Sequence, residues 1–142
     1  MDRTASAAWQ GNVREGKGKI STQSGVLKDS QYSFGTRFEN GVGTNPEELI
    51  AAAHAACFTM ALSAQLTNAN LPPESLETTA KVTIEKTDAG FAITKIHLAT
   101  TAKVPNADKA AFDKAAQEAK TGCPISKLFA GNAEITLDAK LA

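Results

Sequence analysis

The sequence predicts an α+β domain with antiparallel strands and one long buried helix. Three observations indicate this class: glycine-punctuated apolar alternation in the first forty residues, an alanine-rich apolar segment over residues 45–68, and two later alternating segments joined by a short turn. The chain has 142 residues, of which 42% are hydrophobic, enough for one packed core. We therefore expect a single domain over residues 1–142.

The N-terminal region predicts short strands and turns, because glycines recur between brief apolar alternations. In residues 32–38, a period of two places Tyr32, Phe34 and Phe38 on one face of a strand and Arg37 on the other. We expect Arg37 to project away from the aromatic face.

A long helix is predicted over residues 46–68. Asn45 suits the N-cap, the proline that follows suits the first helical position, and Glu47 complements the helix dipole in the first turn. Residues 49–66 hold seven alanines and almost no charge, with apolar residues on every face. This composition is typical of a buried helix, and Cys57 lies in its middle.

The second half of the chain predicts a hairpin followed by two helices and a last strand. The apolar alternation of the second hairpin strand changes phase near Thr94 and Lys95, as at a β-bulge. The predicted elements are strands over residues 76–85 and 91–101, a helix over residues 105–120, a short helix over residues 124–129 and a strand over residues 133–141.

The charge composition narrows the classes of partner. Fifteen basic side chains balance fifteen acidic ones, so no overall field attracts the chain to nucleic acid or to an anionic membrane. No stretch approaches the roughly 18 apolar residues of a membrane span, and residues 1–4 lack the apolar core of a signal peptide. We expect a cytoplasmic protein with a small neutral partner.

The two cysteines, Cys57 and Cys123, are too few for a disulfide scaffold, so they are either inert or redox-active. An alanine-rich helix is a common place for an inert cysteine such as Cys57. Cys123 stands at the predicted N-cap of the short helix, where free N–H groups and the helix dipole favour a thiolate. The residues alone leave both interpretations open.

The two histidines do not decide whether the cysteines are inert or redox-active. His54 lies three residues before Cys57, near enough on a helix to act as its base, but a satisfied core or interface histidine is the commoner role. His54, His97 and the cysteines lack the close ligand pairing of zinc sites. There is no phosphate-cradling glycine motif and no nucleophile elbow, so we expect neither a metal nor a cofactor.

Three motifs carry a family resemblance: GTNPEEL at residues 43–49, AAAHAACF at residues 51–58 and GCP at residues 122–124. With this spacing, over nearly its whole length, the chain resembles the OsmC/Ohr family, the osmotically inducible protein C and organic hydroperoxide resistance proteins, and is most similar to the OsmC branch. The resemblance implies an OsmC-like fold, in which antiparallel sheets pack around the long buried central helix, and an intertwined homodimer. It also implies a thiol-dependent peroxidase of the osmotic and oxidative stress response, with a lipoyl dithiol as the reductant.

The resemblance assigns roles to four residues. Cys57 would attack the hydroperoxide, Cys123 would resolve the sulfenic acid to an intramolecular disulfide, and Arg37 with Glu47 would activate the site. A thousandfold shift toward thiolate requires about 4 kcal/mol, which a cation about 4 Å away supplies at an effective dielectric of about 20. Because the dipole of its own helix fades within the first turn, Cys57 needs this cation, and Arg37 is the candidate.

Helix geometry limits how these residues meet. Glu47 and Cys57 lie ten residues apart on one predicted helix, so about 15 Å separates them along its axis and they point in different directions. If both serve one site, a partner subunit must supply one of them. Around Cys57, the side chains of Ile50, Phe58, Met60 and the strand aromatics would form an apolar pocket that prefers organic hydroperoxides to hydrogen peroxide.

Two other functions stay open. The same cysteine pair would suit a non-enzymatic redox sensor, although the sequence lacks a DNA-reading motif and a flexible switch segment. The chain would alternatively be a hydrophobic-ligand binding protein with inert cysteines.

Overall fold

The computed structural model describes all 142 residues, which form two compact units, residues 1–49 and residues 50–142. The predicted α+β class is confirmed, whereas the single domain stays a prediction. The elements in chain order are β1 (Ala5–Gln10), β2 (Lys17–Thr22), β3 (Ser30–Tyr32), α1 (Phe34–Phe38), α2 (Pro46–Asn68), β4 (Ser75–Thr87), β5 (Gly90–Lys103), α3 (Lys109–Gly122), α4 (Pro124–Phe129) and β6 (Glu134–Leu141).

The first unit contains an antiparallel sheet in the order β1-β2-β3. Gly18 of β2 pairs with Trp9 on one side and Tyr32 on the other, and the two rings lie 5.4 Å apart across it. A Cβ atom at Gly18 would fall 2.3 Å from the Tyr32 ring, so only glycine permits this packing. The contact fixes the end of β3, from which α1 starts.

The strand predicted through Arg37 was wrong, because the chain turns into α1 directly after Tyr32. Ser33 and Thr36 form a capping box in which each backbone N–H donates to the other's side-chain oxygen, at 2.8 and 3.3 Å. Phe34 and Phe38 fit a period of two, but they are also four residues apart, so their rings meet on one helix face at 5.0 Å. The sequence fits the period of a strand and that of a helix, and the capping box selects the helix.

Helix α2 begins and ends where predicted. Asn45 is the N-cap, since its Oδ1 accepts the N–H of Glu48 at 2.8 Å. Phe58, Leu62 and Leu66 are inaccessible and belong to the hydrophobic core. The expectation of a helix buried on every face was wrong for the single chain, since the following residues of α2 are exposed: Ala52, Ala53, Ala56, Met60 and Ala64.

The expectation that no segment is long and apolar enough to span a membrane was also wrong. The 23 residues of α2 are long and apolar enough to pass that test. The many alanines and the absence of charge after the first turn account for this. One such helix is weak evidence for a membrane location, because the core helices of water-soluble proteins pass the same test.

The second unit contains a sheet in the order β4-β5-β6. The hairpin and its bulge are confirmed: Thr83 pairs with Lys95 and Ile84 with Ile93, so Thr94 is the extra residue. Strand β6 runs parallel to β5, so this sheet is mixed and the prediction of purely antiparallel sheets was wrong. The intervening helices α3 and α4 form the crossover that parallel pairing requires.

Helix α3 starts later than predicted, at the N-cap Asp108, because Asn106 adopts a left-handed turn with φ of 66°. Its buried residues are Phe112, Ala115, Ala116 and Ala119. Helix α4 spans the predicted residues and has Cys123 as its N-cap. Cys123 is also the C-cap of α3, so it occupies the corner between the two helices.

Candidate active site

The structure brings the four predicted site residues together as two pairs, one in each unit. Arg37 and Glu47 form an ion pair in the first unit. Cys57 and Cys123 lie together in the second unit, and both are reduced.

The pair in the first unit is held by three hydrogen bonds. Arg37 donates from Nη2 and Nε to Oε1 of Glu47 at 2.8 and 3.0 Å, and from Nε to Oε2 at 3.3 Å. The Glu47 side chain is 10% exposed and that of Arg37 is 39% exposed. The guanidinium also lies 5.3 Å from the centre of the Phe38 ring. The arginine is therefore held in one orientation but remains partly accessible.

Asn45 explains why this pair forms. Besides capping α2, its Nδ2 donates to the carbonyl oxygen of Thr36 in α1 at 2.9 Å. One side chain thus joins the helix that carries Arg37 to the helix that carries Glu47. The Asn-Pro-Glu segment combines a cap, a helix start and the partner of the arginine.

The cysteine pair joins residues that are far apart in the sequence. Cys57 is half-buried on α2, and Cys123 is fully buried at the corner between α3 and α4. The Cys123 thiol is close enough to Cys57 to affect its pKa, so the two thiols are neighbours. A disulfide between them therefore needs only a local movement.

The surroundings of Cys57 in its own unit do not favour a thiolate. Burial raises the pKa of the Cys57 thiol, and the adjacent Cys123 thiol raises it further. The backbone N–H of Ile125, in the first turn of α4, opposes this rise by donating to the Cys57 sulfur. The sequence argument considered only the helix of Cys57 itself and missed this donor from another helix.

Two further residues surround Cys123, and sequence reasoning gave neither of them a role in catalysis. The Cys123 thiol donates to Ser126 Oγ at 3.1 Å, and the Ser126 N–H donates back to the sulfur at 3.3 Å. Ser126 Oγ also lies 2.7 Å from His54 Nε2. The signal for Ser126 was its place three residues after an N-cap, whereas its approach to His54 had no sequence signal.

His54 is enclosed by the core. It is 0% exposed, its ring lies 6.1 Å from that of Phe129, and burial lowers its pKa. Its Nδ1 has no hydrogen-bond partner. The interpretation of His54 as a base for Cys57 is not what the contacts favour, since its hydrogen bond runs toward Cys123 through Ser126.

The predicted apolar pocket beside Cys57 was wrong in its members. Phe58 is 0% exposed and packs in the core, whereas Met60 is 77% exposed on the other side of α2. The two residues therefore do not line one cavity. Two residues of separation on a helix turn their side chains about 200° apart, which explains the error.

Comparison with protein-family models matches residues 38–138 to the OsmC-like proteins. The chain belongs to the OsmC-like protein family. The matched segment contains Glu47 and both cysteines, and Arg37 lies one residue before it. The family prediction made from the three motifs is confirmed.

Two curated relatives represent the two branches of this family. The chain is 54% identical to peroxiredoxin OsmC of Escherichia coli strain K12, over 99% of this chain and 97% of the relative. It is 31% identical to the organic hydroperoxide resistance protein OhrB of Bacillus subtilis strain 168, over 87% and 89% of the two chains.

Solved structures confirm the OsmC-like fold. The crystal structure of OhrB of Bacillus subtilis matches 96% of this chain and 98% of its own, with a TM-score of 0.71 and 29% identity. An OsmC-like protein from Mycoplasma pneumoniae covers 100% of this chain with a TM-score of 0.78. At 14% identity, that second likeness shows the fold alone.

Proposed function

We propose that this chain reduces organic hydroperoxides to alcohols, with Cys57 as the attacking cysteine and Cys123 as the resolving one. The observation that carries the proposal is that two reduced thiols from distant segments are neighbours. The relatives named peroxiredoxin and organic hydroperoxide resistance protein support the class, a cysteine-based peroxidase. We extend this to a cytoplasmic location and to a dithiol reductant of the lipoyl type.

The chemistry takes two steps. The Cys57 thiolate attacks the hydroperoxide, so that an S–O bond forms, the O–O bond breaks and an alcohol leaves after protonation. Cys123 then attacks the sulfur of the sulfenic acid, so that an S–S bond forms, the S–O bond breaks and water leaves. A dithiol then reduces the bridge and returns both thiols. Cys57 is the more accessible of the two cysteines, which suits it to the first step.

The activating cation is Arg37 of a second copy of the chain. The Cys57 thiol needs a cation because its own unit raises its pKa. Arg37 is a permanent cation, held in place by Glu47. Since Glu47 and Cys57 lie ten residues apart on α2, about 15 Å along the axis, the two pairs are brought together by a partner subunit.

The exposed side of α2 supports this homodimer. Ala52, Ala53, Ala56, Met60 and Ala64 form one continuous stripe of small or apolar side chains, and Cys57 borders it. A stripe of this kind is unfavourable in water, and small side chains permit a close helix–helix approach. A second copy covering the stripe would reach the edge on which Cys57 lies.

The first experiment measures consumption of cumene hydroperoxide with dihydrolipoamide, thioredoxin or glutathione. Wild type is expected to turn over with the dithiol. Cys57→Ser abolishes consumption, whereas Cys123→Ser still consumes one equivalent and stops at the sulfenic acid. Unchanged thiol content of wild type after one equivalent of peroxide would instead support a binding protein with inert cysteines. Comparable rates with hydrogen peroxide would refute the preference for organic substrates.

The second experiment tests the shared site. Homodimers of Cys57→Ser and of Glu47→Ala are mixed and allowed to exchange subunits. One of the two sites in each mixed dimer then has an intact cysteine pair and an intact Arg37–Glu47 pair, so activity returns in part. No recovery, when exchange is proven by mass spectrometry, contradicts a site shared between subunits.

A further inference from the structure

The peroxidase cycle proposed above leaves a buried hydrogen-bonded chain without a role. It runs from Cys123 Sγ to Ser126 Oγ over 3.1 Å, and from Ser126 Oγ to His54 Nε2 over 2.7 Å. The exposed fractions of the three residues are 0%, 2% and 0%. The chain joins α2 to α4, two elements whose residues are 72 positions apart at this contact.

The resolving step requires Cys123 to lose a proton where water does not reach its sulfur. A thiol is a weak nucleophile, and the attack on the sulfenic acid needs the thiolate. Ser126 Oγ accepts the Cys123 S–H, so it is placed to receive this proton. Serine is not basic enough to keep a proton, and it needs a base on its other side.

His54 is the base in contact with Ser126. Burial lowers the pKa of His54, so its ring is neutral at physiological pH and its Nε2 is able to accept a proton. Its Nδ1 lacks a partner inside the core. A buried nitrogen without a hydrogen-bond partner lowers the free energy of unfolding. If the only role of His54 were to fill space in the core, an apolar side chain would do so without this loss.

We propose that Ser126 and His54 carry the proton of Cys123 during disulfide closure and reopening, with Ser126 touching the reacting sulfur and His54 acting through it as a positioning residue. The inference rests on the proposed function. As Cys123 S–H loses its proton to Ser126 Oγ, the Ser126 O–H proton passes to His54 Nε2. The sulfur electron pair then forms the S–S bond to Cys57, and the hydroxyl of the sulfenic acid leaves.

The step balances over one turnover. The leaving hydroxide takes one proton from solvent to become water, and the His54 imidazolium later releases one proton. When a dithiol reopens the bridge, it supplies both electrons and releases its two protons. His54 takes up one proton at Nε2, and the Ser126 hydroxyl passes its own proton to the departing Cys123 thiolate as it receives that of His54, while the Cys57 thiol regains the second proton. The role is specific to the second cysteine, because Ser126 hydrogen-bonds Cys123 and His54, and neither Ser126 nor His54 hydrogen-bonds Cys57.

The test separates the two chemical steps in the full-length protein. Reduced protein is mixed with one equivalent of cumene hydroperoxide and quenched at intervals. Dimedone labelling measures the sulfenic acid, and mass spectrometry measures the disulfide. The variants are Ser126→Ala and His54→Gln. The matched control is His97→Gln, a half-exposed histidine on β5 that also hydrogen-bonds a hydroxyl side chain, that of Thr136.

Sulfenic acid is expected to form within about twofold of the wild-type rate in both variants, while disulfide closure slows about tenfold or more, as on loss of general acid–base assistance. Ser126→Thr keeps the hydroxyl and is expected to restore closure to within about threefold. The double variant is expected to be no slower than the slower single variant, because the two groups act in series. His97→Gln leaves both steps unchanged.

Different failures have different meanings. If wild type forms neither sulfenic acid nor disulfide, the proposed function fails and the relay fails with it. If wild type cycles but both variants close the disulfide at the wild-type rate, only the relay is refuted. Equal slowing of both steps, or slow closure in Ser126→Ala without rescue by Ser126→Thr, indicates lost packing and also refutes the relay. Should His54→Gln not fold, the serine variants alone decide.

Discussion

Replacing Arg37 by methionine tests the electrostatic part of the proposal most directly. Burial and the adjacent Cys123 thiol raise the pKa of Cys57, so the folded chain opposes the thiolate that the attack requires. A cation about 4 Å from the sulfur supplies roughly 4 kcal/mol at an effective dielectric of about 20. Methionine keeps much of the arginine's length and apolar contact area but removes the charge.

The magnitude follows from the thiolate fraction. An unperturbed cysteine is about 3% thiolate at pH 7, and a fully activated one is almost all thiolate. Loss of the cation therefore lowers the second-order rate with cumene hydroperoxide at least about thirtyfold at pH 7. The direction of the pH dependence also follows. Removing a positive charge raises the pKa of Cys57, so the reaction rate of Arg37→Met increases about tenfold per pH unit above neutrality.

The assay is stopped-flow single turnover, together with the pH dependence of alkylation by iodoacetamide. Arg14→Met is the matched control, since Arg14 also stacks on an aromatic ring, 4.9 Å from the centre of Phe34. Wild-type reactivity and an unchanged pH profile in Arg37→Met would refute the assignment of Arg37 as the activating cation.

Ala56→Glu introduces a charge into the exposed stripe of α2. It is expected to shift the protein to a monomer in sedimentation velocity and to lower activity at least tenfold. The control Ala110→Glu, at an exposed alanine of α3, leaves the dimer intact. Asn45→Ala loses the cap of α2 and the bond to α1, and is expected to lower the free energy of unfolding by about 1–2 kcal/mol in urea titrations; an unchanged midpoint would contradict the double role of Asn45. Because burial lowers the pKa of His54, the unfolded chain binds the extra proton first as pH falls, so stability decreases below about pH 6.5. His54→Gln is expected to reduce that loss between pH 7 and pH 5, and an unaltered slope would exclude His54 as its source.

The parts of the fold that depend on local chemistry could be predicted from the sequence. The start of α2 at Asn45, the bulge at Thr94 and the short helix after Cys123 all follow from caps, breakers or a change of phase in the alternation. Each signal lies within a few residues of the feature that it determines.

The missed features depend on a choice between compatible local patterns or on distant contacts. Residues 34 and 38 fit both a strand and a helix, and the capping box of Ser33 and Thr36 decides for α1. The parallel pairing of β6 depends on the path of α3 and α4. The bond from Ser126 to His54 joins positions 72 residues apart, so no local pattern contains it. The motifs thus predicted four site residues, but not the contacts around them.

Cys123 is an unusual choice of helix cap, because its sulfur accepts the Ser126 N–H at the start of α4 while it also serves as the proposed resolving thiol. A serine or aspartate at this position would keep its capping atom unchanged through every turnover. Here the capping atom itself becomes part of a covalent bond to α2 whenever the disulfide closes. The redox state therefore affects a backbone amide, because the acceptor of the Ser126 N–H changes from a thiol to a disulfide sulfur. The NMR chemical shift of this amide reports each half of the cycle without any label on the cysteines.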